Sequence, residues 1–312
     1  MTEPVSFTLN VPGATLCYDV RESEPPGGPT LVMIGSPMGA AGFGTLATEF
    51  TDRTIVTYDP RGVERSTRAD PELEVTPDVH AADVVAVIEA AGGGPVDLFA
   101  SSGGAVNALA LVAAHPELVA TLVAHEPPAA SLLPDAAEAL AACRAVHETY
   151  QQHGVGAGMA HFIALVSLRG PVPANFATQP PPDPATFGMP THDDGSRDDL
   201  MLGSNMLTVT HYRPDADALR AASTRIVIAV GAGSHGELAH RGGEAVADLL
   251  GITPLTFPGD HAGFLGGEYG QWGVPDAFAA RLRDVLANPR APEDHAPHDE
   301  SAMHDGHARS LP

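Results

Sequence analysis

Lysine is absent from this 312-residue chain, in which all 16 basic side chains are arginine. That absence excludes chemistries that need an ε-amino group: a Walker-A phosphate loop, a Schiff base with a pyridoxal cofactor, and a serine–lysine dyad. Positive charge is scarce altogether. With 39 acidic residues the formal charge is −23, and so acidic a surface repels nucleic-acid phosphates and anionic lipid, so neither is an expected partner. Cysteine is limited to Cys17 and Cys143, which form no CxxC unit, and two reduced thiols fit a cytoplasmic location. No apolar run reaches the roughly 18 residues that cross a bilayer. Met1-Thr-Glu-Pro4 lacks the basic and apolar regions of a secretory signal. No metal cluster stands out before the final residues, and no cofactor is expected.

What the chain does have is apolar sequence, 44% of it, enough for a substantial core. Ser6 to Arg21 reads as two antiparallel strands turning at Pro12-Gly13. From about residue 30, buried-strand patterns (Leu31–Ile34, Thr54–Tyr58, Val96–Phe99, Thr121–Ala124) alternate with helical ones (Gly42–Phe50, Pro77–Ala91, Ala105–Ala114). This is the pattern of a mostly parallel sheet with helices on both faces, an α/β fold. The alternation stops between Pro127 and Ala222, where Asp135–Gln152, Gly156–Leu168 and Asp198–His211 read as helices around a proline-rich stretch, 171–190. Strands resume at Ile226–Val230 and Pro254–Phe257, and a last helix is expected near Asp276–Leu286. The expected organisation is a core of residues 1–126 and 223–288, a helical cap over 127–222, and a disordered polar tail from 289 to 312. The tail's His295, His298, His304 and His307 read as solvated residues.

One ten-residue segment carries most of the chemistry. In Val96-Asp-Leu-Phe-Ala-Ser-Ser-Gly-Gly-Ala105 a strand runs through small residues directly into a helix. That context places a serine on a sharp, strained turn with its hydroxyl above the sheet. The turn needs small neighbours two residues to either side. Ser102 has Ala100 and Gly104, whereas Ser101 would have Phe99, so Ser102 is the expected apex, in an A-x-S-x-G version of the usual G-x-S-x-G.

Here the chain resembles the α/β-hydrolase superfamily, and the resemblance spans nearly all of residues 5–288. Asp59-Pro-Arg-Gly-Val-Glu-Arg-Ser66 is similar to that family's D-x-R-G-x-G-x-S loop. Ala100 to Gly104 followed by His115-Pro116-Glu117 resembles its elbow and helix end. His125-Glu-Pro-Pro128 resembles the strand end before its cap, and Pro258-Gly-Asp-His-Ala-Gly-Phe264 the loop of its catalytic histidine. The resemblance implies an eight-stranded, mostly parallel sheet with a helical cap after the sixth strand. It also implies that Ser102 is a nucleophile and His261 its general base, since a serine hydroxyl is weakly nucleophilic until an imidazole accepts its proton. Oxyanion donors would be the N–H groups of Gly103 and of Ser36, the latter in Ile34-Gly-Ser-Pro-Met-Gly39, which resembles the H-G-x-P-G loop. A shift of one residue would put Pro37 there, with no N–H to give.

The chain departs from the family at the third catalytic position. The loop after the seventh strand, Gly231-Ala-Gly-Ser-His-Gly236, holds no carboxylate. Glu126, after the sixth strand, and Glu237, at the start of the next helix, are the replacements. Glu126 is preferred because a strand end is rigid and Pro127-Pro128 holds the chain after it.

The functional expectation is a carboxylesterase-like serine hydrolase acting on a small, partly apolar molecule, with Met159, Phe162, Leu165, Met201, Met206 and Leu207 available in the cap. Two other readings compete. Gly231–Gly236 is a literal G-x-G-x-x-G with Asp260 at the end of the next strand, the signature of an NAD(P)-dependent enzyme, although no second mononucleotide half follows it. Alternatively, the fold serves as a non-catalytic binding protein.

Overall fold

Pro12-Gly13 turns the first strand back on itself in the computed structural model, which describes residues 3–23, 27–69 and 74–288. β1 (Val5–Val11) and β2 (Ala14–Arg21) pair antiparallel with Val5 opposite Val20 and Val11 opposite Ala14. The remaining strands are β3 (Leu31–Ile34), β4 (Ile55–Asp59), β5 (Thr67–Arg68), β6 (Val96–Ser101), β7 (Val119–His125), β8 (Arg225–Gly231) and β9 (Leu255–Phe257). Their spatial order is β1-β2-β4-β3-β6-β7-β8-β9, antiparallel as far as β4 and parallel beyond it. These eight form the continuous sheet. A ninth, the two-residue β5, pairs with β2 through Arg68 and Thr67.

The central parallel strands β3, β4 and β6 are buried on both faces, so their side chains divide between two cores. In β3, Val32 and Ile34 join one cluster while Leu31 and Met33 join the other. Helices α1 (Gly44–Thr48), α2 (Pro77–Ala90) and α3 (Gly103–Ala114) follow their strands. α2 begins with Pro77 behind an N-cap in which Val79 N donates to Thr76 Oγ1, since proline's fixed φ and missing N–H suit that position.

The D-x-R-G segment braces this framework. Arg61, almost fully buried, donates from Nε and Nη2 to the Asp83 carboxylate of α2 at 2.6 and 2.5 Å. Asp59 accepts from Ala40 N and Arg65 Nε at 2.8 and 2.6 Å. Ser66 Oγ donates to Asp59 O and accepts from Cys17 N. The polar residues of the motif thus tie the end of β4 to α2, β2 and the loop after β3.

Between β7 and β8 the chain forms α4 (Ala136–Val166), α5 (Met206–Thr208) and α6 (Ala216–Ala221), with no strand. α4 is broken at Gly154, whose φ of 83° and ψ of −177° leave the helix, at the gap between the two helices read from sequence. Cys143, Val146, Tyr150, Leu165, Leu202 and Met206 form a separate core here. The helix expected over Asp198–His211 is different. It is a π-helical turn, Met201–Asn205, leading into the three-residue α5. Hydroxyls of Thr208 and Thr210 donate back to Ser204 O and Met206 O, a side-chain competition that disfavours regular helix.

α7 (Leu238–Leu250) and α8 (Pro275–Ala287) complete the domain on opposite faces. α7 lies hard against the chain after β7: a Cβ on Gly242 would stand 2.4 Å from Pro127 O. Among the described residues no helix is long and apolar enough to cross a membrane. The tail reading of 289–312 lies outside the described residues.

Candidate active site

Ser102 sits between the end of β6 and the first turn of α3 with φ 56° and ψ −128°, a conformation costly to a side-chain-bearing residue and found mostly where function needs it. Its N–H donates to His125 O at 2.9 Å. The turn is as tight as the small-neighbour argument requires: a Cβ on Gly104 would lie 2.8 Å from both Ile34 O and Gly35 Cα. Ser102 is partly exposed. Ser101 is buried, its hydroxyl 3.1 Å from His125 Nδ1.

Glu126 follows the end of β7, fully buried, and has a positive φ of 48°. Its N–H donates to Ala229 O at 2.9 Å, and its carboxylate reaches the loop after β9. Oε2 is 2.6 Å from His261 Nδ1. Oε1 accepts from Gly231 N at 2.8 Å and from Ser234 Oγ, with His240 Nδ1 3.6 Å away. Burial alone would raise the Glu126 pKa, but the proximity of His240 and the hydrogen bond from His261 hold it far below the usual carboxylate range. An ionised carboxylate only accepts, so His261 Nδ1 carries a proton, and in the neutral ring Nε2 is the nitrogen with the lone pair.

His125 lies beneath, its ring 6.0 Å from that of His261 and close to Phe264 and Phe278. Burial presses its pKa down to about 4, so at neutral pH it is an uncharged packing partner.

Ser102 and His261 face a common cavity of about 450 Å³, which Ser36 and Gly103 also line. The Ser36 hydroxyl accepts from Asn205 Nδ2 at 3.0 Å, both residues buried. Of the apolar candidates between β7 and β8, Phe162, Met201 and Met206 line the cavity. Leu165 and Met159 instead pack in the separate core of that segment, and Leu207 faces another groove.

The other sequence candidates are placed elsewhere. Glu237 Oε1 accepts from Arg169 Nη2 at 3.2 Å, although Glu237 also borders the cavity. Gly231–Gly236 wraps the Glu126 carboxylate through Gly231 N and Ser234 Oγ. The second glycine of such a motif is the one a pyrophosphate approaches, and a Cβ on Gly233 would meet Asp260 Cβ at 3.1 Å and Gly259 O at 3.3 Å, so packed chain occupies that side. Asp260 caps its own turn by accepting from Ala262 N at 2.9 Å. Three residues of this site went unremarked in the sequence as partners: Ser234, His240 and Asn205. One further group, His235, His240 and Glu244, brings its potential ligand atoms within 4.8 Å of one another.

A family model described as alpha/beta hydrolase fold matches residues 33–149. A thermophilic esterase from Thermogutta terrifontis superposes with a TM-score of 0.61 at 18% identity, covering 92% of this chain and 98% of its own. The match over residues 33–149 and this superposition agree on the α/β-hydrolase fold for the chain. A proline iminopeptidase from Mycobacterium smegmatis shares the fold, with a TM-score of 0.59 at 19% identity over 91% of this chain and 98% of that one. An uncharacterized hydrolase of Bacillus subtilis (strain 168), YraK, is 27% identical over 285 residues, which is 89% of this chain and 95% of the relative.

Proposed function

We propose that this α/β-hydrolase-fold protein is a serine hydrolase that cleaves an ester or related acyl bond of a small, partly apolar molecule. The observation that carries the reading is the 2.6 Å contact between Glu126 Oε2 and His261 Nδ1 beside a serine at positive φ. Ser102 Oγ attacks the carbonyl carbon while His261 Nε2 takes its proton. Glu126 fixes the tautomer and stabilises the imidazolium that forms. Negative charge developing on the carbonyl oxygen is met by N–H groups of Gly103, at the positive end of the α3 dipole, and Ser36. His261 then returns the proton to the leaving oxygen or nitrogen, leaving Ser102 acylated. Water, deprotonated by His261, releases the acid and restores the hydroxyl.

Phe162, Met201 and Met206 on the cavity wall suit an apolar acyl or leaving group. The relative from B. subtilis bears a hydrolase name over nearly the whole chain, which supports the class. With a formal net charge of −23, the small substrate is the only partner we propose, and the proposed reaction calls for no metal or nucleotide.

The test is covalent labelling by a fluorophosphonate probe, with the modified peptide identified by mass spectrometry. Label on Ser102 and hydrolysis of short p-nitrophenyl esters are expected. An unlabelled, folded protein would instead fit a binding function on the same fold.

A further inference from the structure

His240 and Glu244 stand at i and i+4 on α7 and so project from one face, with His240 Nε2 3.4 Å from Glu244 Oε1. His235, from the loop between β8 and α7, meets His240 edge-on with ring centroids 5.2 Å apart. The potential ligand atoms of all three lie within 4.8 Å of one another. Around a tetrahedral Zn²⁺ with bonds of about 2.0–2.2 Å, ligand atoms are separated by roughly 3.3–3.6 Å. The His240–Glu244 pair already has that spacing. His235 is exposed and Glu244 half-exposed, and the site requires the His235 ring to move in to that spacing.

The buried member is oriented as a ligand should be. His240 Nδ1 is 3.1 Å from Gly231 O, which can only accept, so Nδ1 carries the proton and Nε2 is the ligand nitrogen. Ligating histidines characteristically donate their other N–H in this way. Two imidazoles and a carboxylate suit a borderline divalent ion, with a fourth position open to water.

We propose that His235, His240 and Glu244 bind Zn²⁺, and that the ion slows hydrolysis by acting on Glu126 through His240. The second half rests on the serine-hydrolase reading. His240 Nδ1 lies 3.4 Å from Ser234 Oγ and 3.6 Å from Glu126 Oε1. A positive charge added behind this ring opposes the growth of a second one on His261 and draws on the carboxylate that stabilises it. Neither His235 nor Glu244 lines the substrate cavity.

The experiment uses the full chain with His295, His298, His304 and His307 replaced by glutamine, which removes competing ligands outside the described residues. Zn²⁺ is titrated against a chromophoric chelator, and Co²⁺ absorption reports the coordination. One equivalent should bind, and His235→Ala and Glu244→Gln should each weaken binding by roughly 10–100-fold or more. Saturating Zn²⁺ should slow ester hydrolysis by about tenfold in the parent and leave both variants unaffected, their metal-free rates matching the parent's. Equal Zn²⁺ binding by parent and variants would overturn the site. Lost binding in the variants with no effect of Zn²⁺ on the parent's rate would overturn the link to Glu126. Binding is read without turnover, so a protein that takes up Zn²⁺ but never labels at Ser102 would refute the serine-hydrolase reading alone.

Discussion

Ser102 and Glu126 stand side by side at the ends of neighbouring parallel strands, each one residue past the paired Ser101 and His125, and both have positive φ, 56° and 48°. The backbone therefore turns upward twice at the same height of the sheet. One turn delivers the proposed nucleophile and the other the carboxylate that holds His261.

Ser102→Ala should remove turnover, by on the order of a million-fold in kcat, because the nucleophile of a triad acts as a unit with its base. Ser101→Ala should keep a measurable rate. It loses a buried hydrogen bond to His125, which costs about 1 kcal/mol of stability. Steady-state kinetics and thermal melts of both variants separate the two serines. A dead Ser101→Ala enzyme with an active Ser102→Ala counterpart would reverse the assignment.

Glu126→Gln should lower kcat by about 10⁴, the cost of an amide at this position in a serine protease, while Glu237→Gln should stay near the parent rate. A stability signature accompanies the first change. The folded pKa of Glu126 lies below its ordinary value of 4.5, so its ionised form adds stability that is complete above that value. That stability is lost as pH falls below it toward the folded pKa. The difference in melting temperature between parent and Glu126→Gln should accordingly shrink as the pH is taken below about 4.5. A difference that widens would contradict the depressed pKa.

His125 and His80 are buried and neutral, their pKa values brought down by burial to about 4 and about 3 from an ordinary 6.5. Below pH 6.5 the unfolded chain binds protons that the folded one refuses, so stability present above 6.5 drains away as pH falls toward 4. Urea midpoints should drop between pH 7 and pH 5, and His80→Gln should flatten that slope. An unchanged slope would mean that this imidazole is charged in the folded protein.

Asn205→Ala removes the donor to Ser36 Oγ. The freed Ser36 loop should hold its N–H less well against the developing oxyanion, lowering kcat by about five- to tenfold, in line with one buried hydrogen bond. KM should change little. A pure KM effect would place Asn205 in substrate binding instead.

The fold was legible because its signals are local. Alternating apolar runs and helical periods mark the parallel sheet, and the ten residues around Ser102 contain the whole strand, the turn and the start of the helix. His261 was singled out by its loop and Glu126 by the lack of a carboxylate after β8. The contacts that complete the site are not local. Ser234 meets Glu126 across 108 residues, and Asn205 meets Ser36 across 169, so no spacing rule links them. Gly231–Gly236 illustrates the limit from the other side. A glycine-rich turn ahead of a helix suits a negative group, yet the pattern is the same for a dinucleotide phosphate and for a carboxylate of the chain itself.

Glu126 is followed at once by Pro127-Pro128, and Gly242 of α7 admits the backbone at Pro127 with no room to spare. The segment between β7 and β8 that supplies cavity walls therefore leaves the sheet from the same peptide that aims the carboxylate. Replacing those walls by a grafted segment is constrained by this joint. A graft joined at residue 127 would re-aim Glu126 along with the new walls, whereas one joined beyond Ala130 would change the shape of the chamber and leave the carboxylate where it is.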